Sequence, residues 1–475
     1  MMPLREFSLV AMLCFGAARA AEPAGLAKPH ILFLLADDLG WADVGFHGGE
    51  IKTPHIDALA KAGARLNQFY VQPVCSPTRA ALMTGRYPIR YGLQTGVVRP
   101  WAHYGLPLDE RTLPQALKEA GYATAIVGKW HLGHFEPAYL PTHRGFDRQY
   151  GHYNGALDYN THERDGGHDW HRDDKVNRDE GYATHLLARE ASRLISEHDA
   201  RRPLFLYVPF NAVHSPFQVP ARYTEPYAHM QGNRRLYAGM LAAMDEAIGR
   251  IVGALETKGL RDNTLIFFCS DNGGPAPGVV TSNGPLRASK GTLYEGGVRV
   301  PAVAAWTGRI KAGSVVDAPL HIVDWYPTLL KLAGVSLTQR HPLDGRDAWP
   351  AIAHGAPSPH QDILHNITPA GGAIRVGDWK LVVGGQYSET DGPEAAETAK
   401  KKKAGKKNSG GPGDAIELFN LAADPYEKKN LATAEPERVK AMRARLDAYA
   451  KAAVPAKQAP RAADFKVPAV WGEAN

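Results

Sequence analysis

Asp37-Asp38, Cys75 with Arg79 four residues on, Lys129 with His131, His214, Asp271-Asn272 and Lys290 are the residues of this chain whose types could do chemistry together. Three carboxylates and a neutral amide are hard oxygen donors. They suit Ca²⁺ or Mg²⁺ rather than zinc, and the amide carbonyl leans toward Ca²⁺. Adjacent carboxylates such as Asp37 and Asp38 repel one another unless a cation lies between them. The lysines, histidines and arginine around them suit a tetrahedral oxyanion, sulfate or phosphate. If Cys75 caps a helix, Arg79 lies one turn later on the same face. A sulfur, a helix N-terminus and a guanidinium then point at one spot, an arrangement for an anion rather than for a core. Each part has an ordinary reading by itself: a buried thiol beside a surface arginine, an Asp-Asp turn, an Asn-Gly turn. The set argues otherwise because of where its members stand.

Four apolar runs carry them. His30 to Ala36 ends in Asp37-Asp38, Tyr122 to Gly128 in Lys129 and His131, Pro203 to Phe210 in the segment holding His214, and Leu265 to Ser270 in Asp271-Asn272. Continuous rather than alternating apolar runs predict parallel strands buried on both faces, and ligands of such sheets gather at the carboxyl ends of the strands. Helices are signalled between them: one from Thr53 as cap and Pro54 to the stop at Gly63, then Leu113–Ala120, Gly181–Glu197, about Arg234–Lys258, and Val323 to Gly334. The fold class is α/β, a large and mostly parallel mixed sheet sandwiched by helices. Lys290 lies in a glycine-rich loop that allows close backbone approach. Residues 141–175 are polar and aperiodic. Their histidines 143, 152, 162, 168 and 171 match no compact zinc spacing, and the stretch is expected to be a structural or lid loop.

A domain boundary is expected around Leu343–His354, giving a catalytic domain over 27–350 and a smaller α+β domain over 351–475. The latter holds strand candidates Ile363–Ile367, Ala373–Val376, Trp379–Val383 and Ile416–Phe419, a small antiparallel sheet, and a last helix at about Pro436–Ala452. Residues 388–414 read as a disordered insert rich in Ala, Glu, Lys and Gly.

The N-terminus reads as a secretory signal over residues 1–20, with Arg5, an apolar stretch Phe7 to Gly16 and the cleavage site Ala18-Arg19-Ala20. Export to a bacterial periplasm or beyond is expected, and no later apolar run approaches the ~18 residues of a membrane span. Of three cysteines, Cys14 leaves with the signal and Cys269 reads as a packed thiol in a strand, which leaves Cys75 for chemistry. The net charge of +6 equals the six lysines of Lys400–Lys403, Lys406 and Lys407. The basicity is therefore local and does not indicate a nucleic-acid partner.

On these motifs the chain resembles the type I sulfatases of the alkaline phosphatase superfamily, and most of all their arylsulfatase B (N-acetylgalactosamine-4-sulfatase) branch. The matching stretches are Leu34 to Trp41, Cys75-Ser-Pro-Thr-Arg79, Gly128 to Gly133, Val213 to Pro220, Tyr237 to Met240, Ser270 to Gly274 and Gly296 to Arg299. The resemblance implies an alkaline phosphatase-like sheet, and Asp37, Asp38, Asp271 and Asn272 as metal ligands. It also implies that a maturation enzyme converts Cys75 to formylglycine, whose hydrated aldehyde is the nucleophile beside the metal. By the same resemblance Arg79 steadies the hydrate, and Lys129 and Lys290 hold sulfate oxygens. His131 deprotonates the diol, and His214, with Lys290, protonates the leaving group. Asp158 to Glu163 resembles a stretch at that branch's substrate mouth, which would place Tyr159 and His162 against the sugar. Gly284 stands where the branch often carries a bulky aromatic, so the leaving-group pocket is expected to differ. The implied substrate is chondroitin or dermatan 4-sulfate, or a sulfated galactan such as carrageenan. The alternatives are a phosphodiesterase or phosphonate monoester hydrolase of the same superfamily, and a non-catalytic glycan-binding protein.

Overall fold

The structure is a computed structural model that describes residues 28–368, 371–385 and 415–473. The expected signal (1–20) and the lysine-rich insert (388–414) lie outside the described residues.

The strand His30–Ala36 is buried along its whole length at the centre of a ten-stranded sheet. Thr264–Ser270 pairs with it on one side and Leu204–Pro209 on the other, followed by Ala123–Lys129 and Arg148–His152, all five parallel. Beyond Thr264–Ser270 the sheet turns antiparallel at Ala302–Ala305 and continues through Ala64–Leu66 to Ser314–Val316. Side chains alternate between faces with period two. Ile31, Phe33 and Leu35 enter one hydrophobic cluster with the helices Cys75–Thr84, Leu113–Glu119 and Trp325–Leu332. Leu32, Leu34 and Ala36 enter a second cluster with the helices Pro54–Ala62, Ala183–Glu197 and Gly232–Thr257. Helices on both faces explain why the run is apolar at every position. Fully burying a residue such as Phe33 stabilises the fold by roughly 1.5–3 kcal/mol, and here both faces do so.

Three expectations need correction. Thr53 precedes its helix as foreseen, but its hydroxyl caps no helical amide. It accepts from Gly45 N (2.8 Å) and donates to Asp57 (3.1 Å). The first-turn amides of His55 and Ile56 are instead satisfied by the Asp245 carboxylate, at 3.1 and 2.8 Å, from the long helix. The helix over 323–334 begins as a 3₁₀ turn, Ile322–Asp324, and becomes α-helical only at Trp325. The stretch 141–175 is not simply a loop. It supplies the parallel strand Arg148–His152 and the ribbons His171–Arg172 and Lys175–Val176 that close the sheet edge. Gly128 (φ 140°) and Gly151 (φ 131°) are register partners there. A Cβ on Gly151 would lie 2.9 Å from the Gly128 carbonyl carbon, so these strands meet as they do because residue 151 is glycine, while a Cβ on Gly128 would strike the Pro209 carbonyl of the strand on its other side.

The strands Ile363–Thr368, Gly371–Val376, Trp379–Val383 and Ile416–Asn420 form the small antiparallel sheet in that order. The helix Pro436–Lys451 buries Met442 and Leu446, and both join Leu364, Ile374 and Leu381 in the first cluster of the main sheet. After this helix the chain runs back over the larger part: Val454 N bonds Ile89 O, Lys457 N bonds Gly92 O, and Trp471 N bonds His168 O. Among the described residues no helix is long and apolar enough to cross a membrane.

Candidate active site

Parallel pairing puts the carboxyl ends of Thr264–Ser270, His30–Ala36, Leu204–Pro209, Ala123–Lys129 and Arg148–His152 on one edge of the sheet. Asp271-Asn272, Asp37-Asp38, His214, Lys129 with His131, and His152 follow from those ends. The helix Cys75–Thr84 points its N-terminus at the same place. Val74 is its cap residue, so Cys75 is the first residue inside it. Within the first turn the Thr78 hydroxyl accepts from Gln72 N (3.0 Å), and Ser76 Oγ donates to His131 O (2.9 Å) while accepting from Val98 N (3.0 Å). The turn that carries Cys75 is thereby pinned to the Lys129–His131 segment.

One donor atom from each of Asp37, Asp38, Cys75 and Asp271 falls within 4.8 Å of all the others, and all four residues are buried. Cys75 Sγ lies 3.5 Å from Asp37 Oδ1. Lys129 pairs with Asp37, and Lys290 Nζ reaches Asp38 at 2.7 Å. Arg79 donates to Asp271 Oδ2 from Nη2 (2.7 Å) and Nε (3.2 Å), and to Lys129 O from Nη1 (3.1 Å). Asn272 Nδ2 donates to Asp38 Oδ1 (2.7 Å). His214 Nδ1 faces Ser215 O at 2.6 Å, which fixes Nδ1 as the protonated nitrogen of the neutral ring and leaves Nε2, 3.6 Å from Asp38 Oδ2, turned to the site. Both His131 ring nitrogens are buried without a hydrogen-bond partner, and the ring packs over Gly155, where a Cβ would meet it at 2.5 Å.

The electrostatics follow from this crowding. Burial and the neighbouring Asp271 push Asp37 up, against the pull of Lys129 and Arg79. Burial pushes Asp38 the same way, but Lys290 and His214 outweigh it and hold that carboxyl low. Burial, then Asp271 and Asp37, push the Cys75 thiol well up, so the site does not favour a thiolate. Burial and the adjacent lysines hold both histidines neutral: His131 well below its ordinary range, and His214 at about 3.

The residues fit a hard divalent cation. Three buried carboxylates converge with their mutual repulsion only partly relieved by lysine and arginine. The buried carbonyl oxygen of Asn272 has no partner and is the kind of ligand such an ion takes.

The structure places Tyr159 and His162 differently from the other expected site residues. Tyr159 is buried, and its hydroxyl meets Asn211 O (2.6 Å) and His214 O (2.8 Å). The His162 ring is also buried, bonds Gly181 O at 3.0 Å and stacks on Trp170 at 4.5 Å. Tyr159 Oη and His162 Nε2 thus bond the protein's own backbone, on the segments 211–214 and 181. Two residues escaped the sequence reading. Asn211 follows the strand Leu204–Pro209 and is buried with both amide atoms unpartnered, and His152 ends the strand Arg148–His152 in the same condition. The strand-end rule that flags His214 would have flagged Asn211. His152 was read only as one of five histidines in a polar stretch, because its strand is too polar to read as one.

Residues 29–335 match the family model described as Sulfatase. Arylsulfatase J of Mus musculus is 42% identical over 472 residues, covering 93% of this chain and 79% of that protein. N-acetylgalactosamine-6-sulfatase of Canis lupus familiaris is 38% identical over 365 residues, covering 72% of this chain and 68% of that protein. Among solved structures, Ps i-CgsB in complex with k-i-k-neocarrahexaose superposes with a TM-score of 0.79 at 32% identity, covering 90% of this chain and 94% of that one. A family model spanning most of the chain, and a relative matched along nearly all of it, place the protein in the sulfatase family, as a sulfuric ester hydrolase.

Proposed function

We propose that the protein is an exported sulfatase that removes sulfate from a sugar of a sulfated polysaccharide, chondroitin or dermatan 4-sulfate or a sulfated galactan such as carrageenan. The observation that carries the reading is the position of Cys75. It stands in the first turn of a helix, 3.5 Å from Asp37, among the carboxylates of Asp37, Asp38 and Asp271, with which Lys129, Lys290 and Arg79 pair. A thiol held neutral there is a poor nucleophile, and a thiol attacking sulfur would leave a thiosulfate that is hard to release. Oxidation of Cys75 to formylglycine, by a dedicated maturation enzyme, supplies a hydrated aldehyde instead: one hydroxyl attacks, and loss of the proton from the other expels sulfate. A divalent cation, Ca²⁺ or Mg²⁺, held by Asp37, Asp38, Asp271 and Asn272 would polarise the sulfate and hold the nucleophile's oxygen.

The chain's own residues then divide the work. Lys129 and Lys290 face the sulfate oxygens, and Arg79, locked by Asp271, steadies the nucleophile's turn. His131, neutral and unpartnered, accepts the proton beside position 75. His214 with Lys290 supplies the proton to the departing sugar oxygen. An arriving sulfate monoester brings negative charge to His214 and raises its proton affinity from the low resting value, so the acid forms when substrate is bound. The polysaccharide substrate is supported by Ps i-CgsB, whose bound ligand is a neocarrahexaose, and by the sugar sulfatase named N-acetylgalactosamine-6-sulfatase.

The test is a panel of defined sulfated oligosaccharides and small aryl sulfates against phosphate diesters and phosphonate monoesters, with loss of sulfate read at an identified carbon. Faster turnover of the phosphorus esters would overturn the sulfatase reading of the site, and binding without turnover would favour a glycan-binding protein.

A further inference from the structure

The tail that follows the last helix lays cations on aromatic rings beside the catalytic edge. Trp101 Nε1 donates to Ala459 O at 2.7 Å, and Tyr104 Oη contacts Lys457 O at 3.4 Å. The exposed guanidinium of Arg461 lies 5.4 Å from the Trp101 ring centre and 5.3 Å from that of Phe465, while Lys457 Nζ sits 5.9 Å over Tyr104. Phe465 stacks at 6.2 Å on Trp471, whose ring meets His134 edge-on at 5.6 Å. Among the described residues Arg461 enters no ion pair, and neither does Asp464 three residues on.

This row lies close to the chemistry. Val98, whose amide bonds Ser76 Oγ at 3.0 Å, is three residues before Trp101, and three residues of chain reach at most about 11 Å. His134 is three residues past His131. The backbone that carries Trp101 and His134 therefore lies within about 11 Å of Val98 and of His131, the two segments that Ser76 joins.

Trp101 and Phe465 meet edge-on at 6.2 Å, and a guanidinium lying against both rings is held at about 0.5–1 kcal/mol per exposed cation–π contact. Its N–H edge remains available for bidentate contact with an oxyanion. Among the described residues no carboxylate pairs with it, so none of them holds an ion pair that an arriving anion must break.

We propose that Arg461, on its Trp101–Phe465 seat, is a second anion site that binds the sulfate or carboxylate of a neighbouring sugar while the first sulfate occupies the catalytic nest; this rests on the reading of the substrate as a sulfated polysaccharide. The site makes the tail part of substrate selection. It favours chains with repeated anions over monosulfated compounds, because a small aryl sulfate cannot span the two positions.

Two comparisons test it. Wild-type protein and Arg461→Ala are assayed on 4-nitrophenyl sulfate and on a multiply sulfated carrageenan hexasaccharide. The expected result is a KM for the hexasaccharide raised about tenfold, the scale of one charge-assisted contact, with kcat and the aryl sulfate constants unchanged and Arg461→Lys intermediate. Binding of the same hexasaccharide is then measured by calorimetry on Cys75→Ala and on Cys75→Ala/Arg461→Ala, where turnover plays no part, and a similar loss is expected. Equal hexasaccharide affinity in the two binding proteins, or losses of the same size on both kinetic substrates, overturns the second site. Absence of turnover of either sulfate ester by mature wild-type protein overturns the proposed function instead, and the calorimetric comparison still decides the role of Arg461.

Discussion

The hydroxyl of Tyr159 lies 2.8 Å from the carbonyl oxygen of His214 and 2.6 Å from that of Asn211. One side chain thus ties down both ends of the turn that aims His214 at Asp38. The bracket is itself braced: Tyr159 N donates to Gln218 Oε1 (2.8 Å), Gln218 Nε2 donates to Asp158 (2.6 Å), and Tyr182 stacks on Tyr159 at 5.5 Å.

Tyr159→Phe keeps the ring and removes the tie. Stability should fall by about 1 kcal/mol, the net worth of a typical hydrogen bond. Turnover should fall by more than that implies, by roughly 10- to 100-fold, because a proton donor displaced by about 1 Å loses that much. KM should change little, since the hydroxyl meets backbone rather than substrate. A KM rise with unchanged kcat, in steady-state kinetics on an aryl sulfate, would return Tyr159 to the role of a substrate contact.

Cys75→Ala should abolish turnover, and Cys75→Ser should be almost as poor, because a serine hydrate cannot form. In active protein the peptide spanning Cys75 should carry an aldehyde in place of the thiol, as read by mass spectrometry and by reaction with a hydrazide. Full activity in a sample whose Cys75 thiol is intact would sink the formylglycine mechanism.

Chelation should silence the enzyme and Ca²⁺ should restore it, with Mg²⁺ second, because the ligand set includes a neutral carbonyl and three crowded carboxylates. Binding that relieves their repulsion must also stabilise the fold. At a cation concentration 100 times Kd the gain is about 2.7 kcal/mol, visible as a higher Tm. Asp38→Asn should weaken that shift. An identical melting curve with and without cation would argue against a metal at this place.

Much of this was legible in the primary structure because the chemistry sits at the ends of strands buried on both faces. Such strands must be apolar throughout, so a run like Ile31 to Ala36 announces itself, and the polar residues that follow stand out as Asp37-Asp38 do. The four strands of the small sheet were readable for a related reason, as short β-branched and aromatic runs between turns. What escaped depends on distant partners. The helix at Pro54 takes its cap from Asp245, 189 residues from the Ile56 amide it satisfies, and no local signal marks that. Arg148–His152 is a strand because Ala123–Lys129 lies beside it, not because of its own composition. The tail after Lys451 carries no periodicity, yet its carbonyls at Ala459 and Lys457 meet Trp101 and Tyr104.

The last prediction concerns how the small sheet is held to the catalytic part. Lys380 is fully buried on the strand Trp379–Val383 and reaches both Glu295 and Glu427 at 2.9 Å. Glu295 lies in the Gly296-Gly297 segment, whose Gly297 carbonyl accepts from Gly273 N at 3.0 Å, next to Asn272. Removing the lysine leaves two buried carboxylates facing one another, so Lys380→Met should cost about 3–5 kcal/mol. The triad also sets a pH dependence. Burial and Glu295 raise Glu427 to about 7 despite Lys380, while Glu295 is held below its usual range by Lys380, Arg299 and Arg375 against burial. Between the ordinary glutamate value of 4.5 and about 7 the folded protein therefore holds a proton at Glu427 that the unfolded chain has released. Glu427's contribution to folding stability must therefore decline as pH rises through that window, by about 1–3 kcal/mol, while the buried neutral histidines act in the opposite sense. Denaturant titrations of wild type and Glu427→Gln, which cannot ionise, at pH 5 and pH 8 isolate it: the stability of the wild type relative to the variant should fall between the two pH values. An equal difference at both would place the titrating group elsewhere.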